Sequence, residues 1–564
     1  MIRVPHLRTL FCFLFPAALF LCATLPNLDL PGLQYDEFYY VPPAAALLKQ
    51  QYDTDYVKLD PSVVHVFGQP LPLMFNYYTS FLRTYITLPA FALWGINVAT
   101  VRGSSTVLAM IALLFFIAFT RRLTGRTGIA CVSGILLALD ASFIAYTHND
   151  YVAVSLMMAL KGAGLWALLR WWQEHEVRWL YLGAFLIGLG ITDRASFLWI
   201  PLSLVPALLL AYGKASWEEV KQRLARNKNW LLGALAFALG AAIFIAFNLA
   251  TFGGTFSPMA GSFRQTSGGA DNLNFFGNLY LRLQMLTEVL NGGYLNHFIA
   301  GENTYQTRGW HFSGSPLSWL APLAFVYFAA TTAMRLFARV RVTRSMVFLL
   351  AMMTALLFFT CFTPTLHRGH QLLILYPFPH ILVAFFIFEI LRRQRVIFRF
   401  SARVLEKILA AVLLVIVVAM AKPILAYHLL LQQTGGRGVW SEAIYEIIAE
   451  ADQHPERTIV CMDWGFNANI LSLTKKPVRT IRNYETTRRT PQQLAQLFDS
   501  THVFLLHAPE YTYVPGARED FFAAVEYARA EVDTLRVFHQ REGQPVAYLV
   551  NVTRSTFTNA IRGQ

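Results

Sequence analysis

Two carboxylates stand side by side at Asp36 and Glu37, in the run QYDEFYYVPPAAALLKQ, with Tyr35, Tyr39 and Tyr40 around them. On a helix, adjacent side chains point about 100° apart, so the two acids can take different tasks. One can serve a reaction centre as general base while the other pairs with a cation or caps the helix. Desolvation by the neighbouring aromatics would raise a carboxyl into the range useful for proton transfer. The plain alternative is a helix N-terminus, which favours negative charge for its own electrostatic reasons. Further ionisable groups sit at short turns between apolar runs: Arg102, then His148 and Asp150 in YTHNDYV, Asp193 and Arg194 in GLGITDRASF, and Arg368 and His370 in TPTLHRGHQLL. Arginines at such positions suit a phosphate, which they meet through paired hydrogen bonds and charge.

The elements that must position these groups are membrane spans. The chain has 564 residues, 55% of them hydrophobic and only 14% charged, with a mean hydropathy of +0.43. A soluble domain could not hide that much apolar surface. Spans of roughly 20 apolar residues are expected near 9–28, 103–120, 128–147, 151–170, 178–192, 195–212, 230–250, 316–334, 345–362, 371–391 and 405–426. The first follows Arg3 and Arg8 and reads as an uncleaved span, because no small-residue cleavage site follows it.

The net charge of +14 comes from short basic clusters between spans. Arg3/Arg8, Arg121/Arg122/Arg126, Arg170/Arg178, Lys214–Lys228, Arg335–Arg344 and Arg392–Lys407 fall in alternate loops. Basic cytoplasmic loops explain that pattern better than nucleic acid does, and they put the N-terminus inside and the C-terminus outside. The sequence predicts no nucleic-acid partner. Cys12, Cys22, Cys131, Cys361 and Cys461 are scattered singly and imply neither a disulfide framework nor a zinc site.

This path leaves residues 29–100, residues 251–315 and everything beyond 430 on the outer side, together with the acidic pair and the other ionisable turns. Residues 71–94 are apolar but interrupted by Pro72, Arg83 and Pro89, and a crossing there would invert every later loop. An interfacial or re-entrant helix pair is therefore expected. Residues 431–564 change character. TIVCMDW, HVFLLH and VAYLVNV read as strands, and SEAIYEIIAEA and REDFFAAVEYARAEV as helices. The expected fold class is an α-helical polytopic membrane protein of about 11–13 spans, formed by residues 1–430, with a C-terminal soluble α/β domain at 431–564.

The order of these motifs resembles the membrane glycosyltransferases of the GT-C class, and among them the protein O-mannosyltransferases and lipid A aminoarabinose transferases. The acidic pair follows the first span. WGINVATVRGSSTVLAMIALLFFIAFTRRLTG is similar to the family's "FG…RLPSALxG…ARRLFG" segment, with Arg102 at its arginine. LLALDASFIAYTHNDYVAVSLMMAL is similar to the family's second acidic site, with Asp150 on it. LYLGAFLIGLGITDRASFLWIPL resembles the "GLAFLTK" hairpin, and HRGHQLLILYPF a late "RYLLPLLPF" span. There are departures. VHVFGQPLPLMFNYY replaces the family's His/Lys-Pro-Pro-Leu, so that His65 or Gln69 stands near its first residue, and Asp193–Arg194 replaces the lysine of "GLAFLTK".

The resemblance implies an inverting, single-displacement transfer of a sugar from a polyprenyl-phosphate-linked donor to a lipid, glycan or protein acceptor, on the outer face of a bacterial inner membrane. It implies Asp36, Glu37 and Asp150 as catalytic candidates. Arg102, Arg194 and Arg368 are implied to hold the donor phosphate, and Tyr39, His65, His148 and His370 to contact substrate. No cofactor is required by the resemblance, although Asp36, Asp150 and His148 are residue types that could ligate a divalent metal. Two other readings compete. A secondary transporter would bury charges at mid-span, where the sequence puts only Lys161 and Arg83. A non-catalytic scaffold would account for the C-terminal domain but not for the acidic pair.

Overall fold

The computed structural model describes residues 5–49, 63–66, 68–225, 229–264, 273–293, 314–362, 369–398, 401–484 and 487–554. Every expected span is a helix or a bent pair of helices. Val98–Thr124, Ala195–Gly213, Leu317–Phe337 and Arg403–Thr434 are each long and apolar enough to cross a bilayer. Three bent pairs join them: Thr127–Ala138 with Ala141–His148 at 57°, Asn229–Gly240 with Ala242–Ala250 at 71°, and Gly369–Leu375 with Phe378–Gln394 at 53°. The rest of the bundle consists of Arg8–Thr24 and Arg344–Thr360, both shorter apolar helices, with Val154–Glu174 and Val177–Asp193.

A helix broken inside apolar surroundings frees backbone groups that water cannot satisfy, so protein must. Here buried polar side chains do it. The Lys161 ammonium donates to the carbonyls of Leu373, Ile374 and Tyr376, at the break before Phe378. The Asp140 carboxylate caps Ala141–His148 by accepting from the Phe143 N–H at 2.8 Å. It also accepts from the Tyr376 hydroxyl at 3.1 Å, and His380 Nε2 lies 3.0 Å away. Two breaks are thereby tied to each other. Lys161, the mid-span charge that would have favoured a transport path, is consumed by backbone carbonyls.

The helices Val177–Asp193 and Asn229–Gly240 approach to backbone contact. A Cβ on Gly188 would lie 2.2 Å from the Phe237 carbonyl oxygen, and one on Gly240 2.1 Å from that of Phe185. Small residues permit such packing where lipid offers no competing hydrophobic drive. The contact fixes the end of the first helix, where Thr192 donates to the Gly240 carbonyl at 2.9 Å.

Residues 71–94 do not form the expected helix pair. The first half is extended: β1 (Val63–Val66) pairs antiparallel with β2 (Gln69–Pro72), and β3 (Met74–Asn76) with β4 (Thr79–Ser80). Only Leu82–Trp94 is helical. Its 13 residues span about 20 Å at 1.5 Å each, too short to cross. Leu93 and Trp94 at its end are 73% and 69% exposed. Within 251–315 lies another helix, Phe275–Asn291, whose second half is buried in the bundle.

The C-terminal unit is a five-stranded sheet in the order β6-β5-β7-β9-β8. β5 (Thr458–Cys461) is parallel to both β6 (Arg479–Arg482) and β7 (His502–His507). β9 (Pro545–Arg554) runs antiparallel to β7 and to β8 (Ala530–His539). The helices Ala443–Gln453 and Ala517–Ala528 accompany it, as their spacing predicts; β6 and β8 are additions to the expected strands. One face of the sheet shares a hydrophobic core with Leu33, Phe38, Tyr39, Tyr40 and Val41, so the sheet sits on the same end of the bundle as the acidic pair.

Candidate active site

Gln34, Asp36 and Glu37 form a capping box at the start of the short helix Tyr35–Phe38. Gln34 Oε1 accepts from the Asp36 N–H at 2.7 Å. The two acids then part. Glu37 is fully buried and accepts from Arg102 Nε at 2.6 Å and Nη2 at 2.9 Å, while Arg102 Nη1 donates to the Leu28 carbonyl at 3.0 Å. Asp36 is half-buried. Burial pushes the Glu37 carboxyl up to about 7, against the pull of the Arg102 guanidinium.

Asp150 is also fully buried. Its Oδ2 accepts from Arg83 Nη2 at 3.0 Å and from the Ser105 hydroxyl at 2.9 Å, and its Oδ1 from the Ser155 N–H at 2.9 Å. Arg83 comes from the helix Leu82–Trp94, and its guanidinium lies 4.9 Å from the centre of the Tyr40 ring. Asp150 and Ala153 have φ of 40° and 50°. Left-handed conformations cost free energy for residues other than glycine, and they gather where a site over-determines the backbone. A third buried pair follows: Arg194 Nε donates to Asp193 Oδ2 at 2.9 Å and Nη2 to the Ala153 carbonyl at 2.9 Å.

A cavity opens beside these pairs. Tyr77, Tyr78, Arg194, Trp199, His370 and Gln371 are among its walls, with Met157 and Ile374 apolar beneath them. The β3–β4 hairpin is pinned to Arg194 by a bridge at Thr79 and by the Ala195 N–H donating to the Tyr78 carbonyl at 2.9 Å. His370 packs edge-on against Tyr151, which neighbours Asp150, and Tyr151 packs in turn against Trp440 of the C-terminal unit. Asp36 is not among the cavity-lining residues. Its helix packs against Tyr151–Ala153, one layer away.

The other candidates lie in different settings. Tyr39 is buried against Phe75, and burial pushes its phenol well up, so it stays neutral. His148 faces the far side of its turn, with Nδ1 3.1 Å from the Tyr427 hydroxyl, and does not line the cavity. His65 stands opposite Pro70 in the β1–β2 ladder, its side chain outside the described residues, as is Arg368. Asp36, Asp150 and His148 do not converge, and among the described residues no cluster of His, Cys, Asp or Glu could hold a metal ion. The sequence alone assigns no role to Arg83, Ser105 or the Tyr77–Tyr78 pair. A charge inside an apolar helix demands a buried partner, and that was the available signal for Arg83.

The segment that carries the acidic pair and the C-terminal unit are joined at close range. The Gly32 N–H donates to the Trp440 carbonyl at 2.8 Å, and Asn469 Nδ2 to the Leu33 carbonyl at 2.7 Å. The Lys49 ammonium caps Asn467–Leu473 through the carbonyls of Leu471, Ser472 and Thr474.

No protein-family model matches the sequence, and no curated protein matches it. Solved structures do. ArnT from Cupriavidus metallidurans bound to undecaprenyl phosphate is similar at a TM-score of 0.55 and 12% identity, over 96% of this chain and 97% of that one. The Archaeoglobus fulgidus oligosaccharyltransferase in its apo form is similar at 0.51 and 11% identity, over 88% and 69%. The oligosaccharyltransferase AglB from the same organism, in complex with an inhibitory peptide and a dolichol-phosphate, is similar at 0.51 and 12% identity, over 98% and 74%. The chain has the GT-C membrane fold expected from its motifs, with a sheet-containing C-terminal unit.

Proposed function

We propose that the chain transfers a sugar from a polyprenyl-phosphate-linked donor to an acceptor hydroxyl of a lipid, glycan or protein, on the outer face of a bacterial inner membrane. The observation that carries this reading is the division of labour among the acids. Glu37 and Asp150 are fully buried and held by Arg102 and Arg83, whereas Asp36, beside Glu37, is only half-buried. Two of the similar structures hold polyprenyl-type phosphates, undecaprenyl phosphate in one and dolichol-phosphate in the other, which supports the donor class.

In the proposed reaction Asp36 takes the acceptor O–H proton as general base. The acceptor oxygen attacks the anomeric carbon from the face opposite the phosphate. The bond from that carbon to the phosphate oxygen breaks, its electron pair leaves with the polyprenyl phosphate, and the configuration inverts. Arg194, in the cavity wall, stabilises the charge growing on the phosphate. Glu37 and Asp150 act as positioning residues: the first holds the helix that carries Asp36, and the second fixes the turn beneath Arg194. His370, in the cavity wall, is assigned to substrate contact, Tyr39 being buried against Phe75, and the prenyl chain to the lipid side of the apolar helices. Catalysis proceeds without a metal in this reading.

Radiolabelled polyprenyl-phosphate hexose and pentose donors, offered to wild type and Asp36→Asn at equal abundance, test the proposal. Loss of a general base should reduce transfer or donor hydrolysis by roughly 10²–10⁴-fold. Equal turnover removes Asp36 from the mechanism, and absence of turnover with every donor returns the weight to transport or scaffolding.

A further inference from the structure

A second cleft lies at the opposite end of the bundle from the acidic pair. The chain path fixes its location. Arg126 precedes the bent pair that ends at His148, and Arg335 and Arg392/Arg393 close the helices Leu317–Phe337 and Phe378–Phe398, each of which begins near the candidate site. Four arginines and a single acid, Glu389, line the cleft. Glu389 is already committed, accepting from Arg392 Nε and Nη2 at 2.9 Å and from Arg393 Nε at 3.3 Å. Arg126 and Arg335 have no carboxylate partner among the described residues. The hydroxyls of Thr332, Thr343 and Ser345 share the walls, and Phe328, Phe385 and Met346 form an apolar side.

An exposed basic face at this end follows from the positive-inside rule alone, and that is the plain explanation for the charge. It does not explain why two unneutralised guanidiniums and several hydroxyls surround one cleft with an apolar wall. We infer that this cleft binds a phosphate-bearing anion through Arg126 and Arg335, and that its shape suits a lipid whose phosphate sits among the arginines while its chains follow the apolar side. Guanidinium is the side chain best matched to phosphate, and basic pockets between spans are a known setting for anionic headgroups.

The test uses the full chain in detergent, following thermal unfolding during titration with phosphatidylglycerol, phosphatidylcholine or inorganic phosphate. Phosphatidylglycerol should stabilise the wild type saturably, as a ligand of the native state must. In Arg126→Gln/Arg335→Gln the affinity should fall roughly thirtyfold, the expected effect of two arginines near an anionic headgroup. Arg344→Gln is the control. Arg344 lies against the Tyr212 ring and outside the cleft, so this variant should retain wild-type affinity. Stabilisation by the lipid alone identifies a headgroup site, and equal stabilisation by inorganic phosphate identifies a free-phosphate site of the same chemistry. The inference is overturned if neither anion stabilises, if phosphatidylcholine does so equally, or if the double variant and Arg344→Gln lose affinity alike. Native mass spectrometry of retained phospholipid gives a second readout that does not depend on the variants' own melting temperatures.

Discussion

Arg102 holds both carboxylate oxygens of Glu37, through Nε at 2.6 Å and Nη2 at 2.9 Å, in a place where neither side chain is solvent-exposed. Removing one partner from such a pair is more damaging than removing both, because it strands a buried polar group. Arg102→Gln should therefore lose about 3 kcal/mol of stability, and Glu37→Gln/Arg102→Gln should recover part of that loss. Thermal unfolding of the single and double variants, combined as a cycle, measures the coupling. Arg102→Lys should resemble the glutamine variant, since an ammonium cannot reproduce the paired geometry. A strictly additive cycle would refute the pairing.

The same pair predicts a pH dependence. Glu37 is held at about 7, above its ordinary 4.5, with burial the main cause. A carboxyl whose pKa is raised on folding binds its proton more tightly in the folded state. Its contribution to stability is fully present below the unfolded value and is lost as pH rises through the folded one. Relative to Glu37→Gln, the wild type should lose melting temperature between about pH 4.5 and pH 7. Parallel curves over that window would mean that Arg102 keeps the carboxyl ionised throughout.

Asp150 accepts three hydrogen bonds, from Arg83, Ser105 and the Ser155 N–H, and this leaves it little capacity for a substrate. Asp150→Asn keeps the shape and loses the charge opposite Arg83. If Asp150 positions the turn carrying Tyr151 and Ala153, kcat should fall by up to about a hundredfold, the known cost of small misplacements, with KM little changed. Ser105→Ala should have a smaller effect in the same direction. A large rise in KM with kcat preserved would instead make Asp150 a direct substrate contact.

The acidic pair was legible in the sequence because two adjacent carboxylates directly after an apolar span are conspicuous by residue type. The spans were legible because lipid imposes their length, and the bends did not hide them. The partners were not legible. Arg83 interrupts an apolar stretch, and nothing local indicates that its carboxylate is Asp150, two helices later. Arg102 suited a phosphate by type, but it is sealed against Glu37 away from the cavity, whereas Arg194 lines the cavity while also holding Asp193. The helix Phe275–Asn291 was obscured by Arg282, Gln284 and Glu288, polar residues whose burial only the tertiary packing explains. The strand β8 was obscured because most of AEVDTLRVFH stays exposed at the sheet edge, so no apolar run marks it.

Gly32 offers a test of whether the C-terminal unit matters to the candidate site. A Cβ there would stand 2.1 Å from the Ser441 carbonyl oxygen and 2.9 Å from the Glu442 nitrogen, both backbone atoms that cannot swing aside. Gly32→Ala must therefore push the loop that carries the acidic pair off the sheet unit and strain the Gly32–Trp440 hydrogen bond, which lies four residues before Asp36. The variant should insert in the membrane normally, become more sensitive to limited proteolysis near residue 435, and lose roughly tenfold or more in turnover through misplacement of the acidic loop. Gly261→Ala, where a new Cβ meets nothing within 4 Å, controls for the substitution itself. Full activity in Gly32→Ala alongside raised proteolysis would separate the two units functionally and confine the chemistry to the helical bundle.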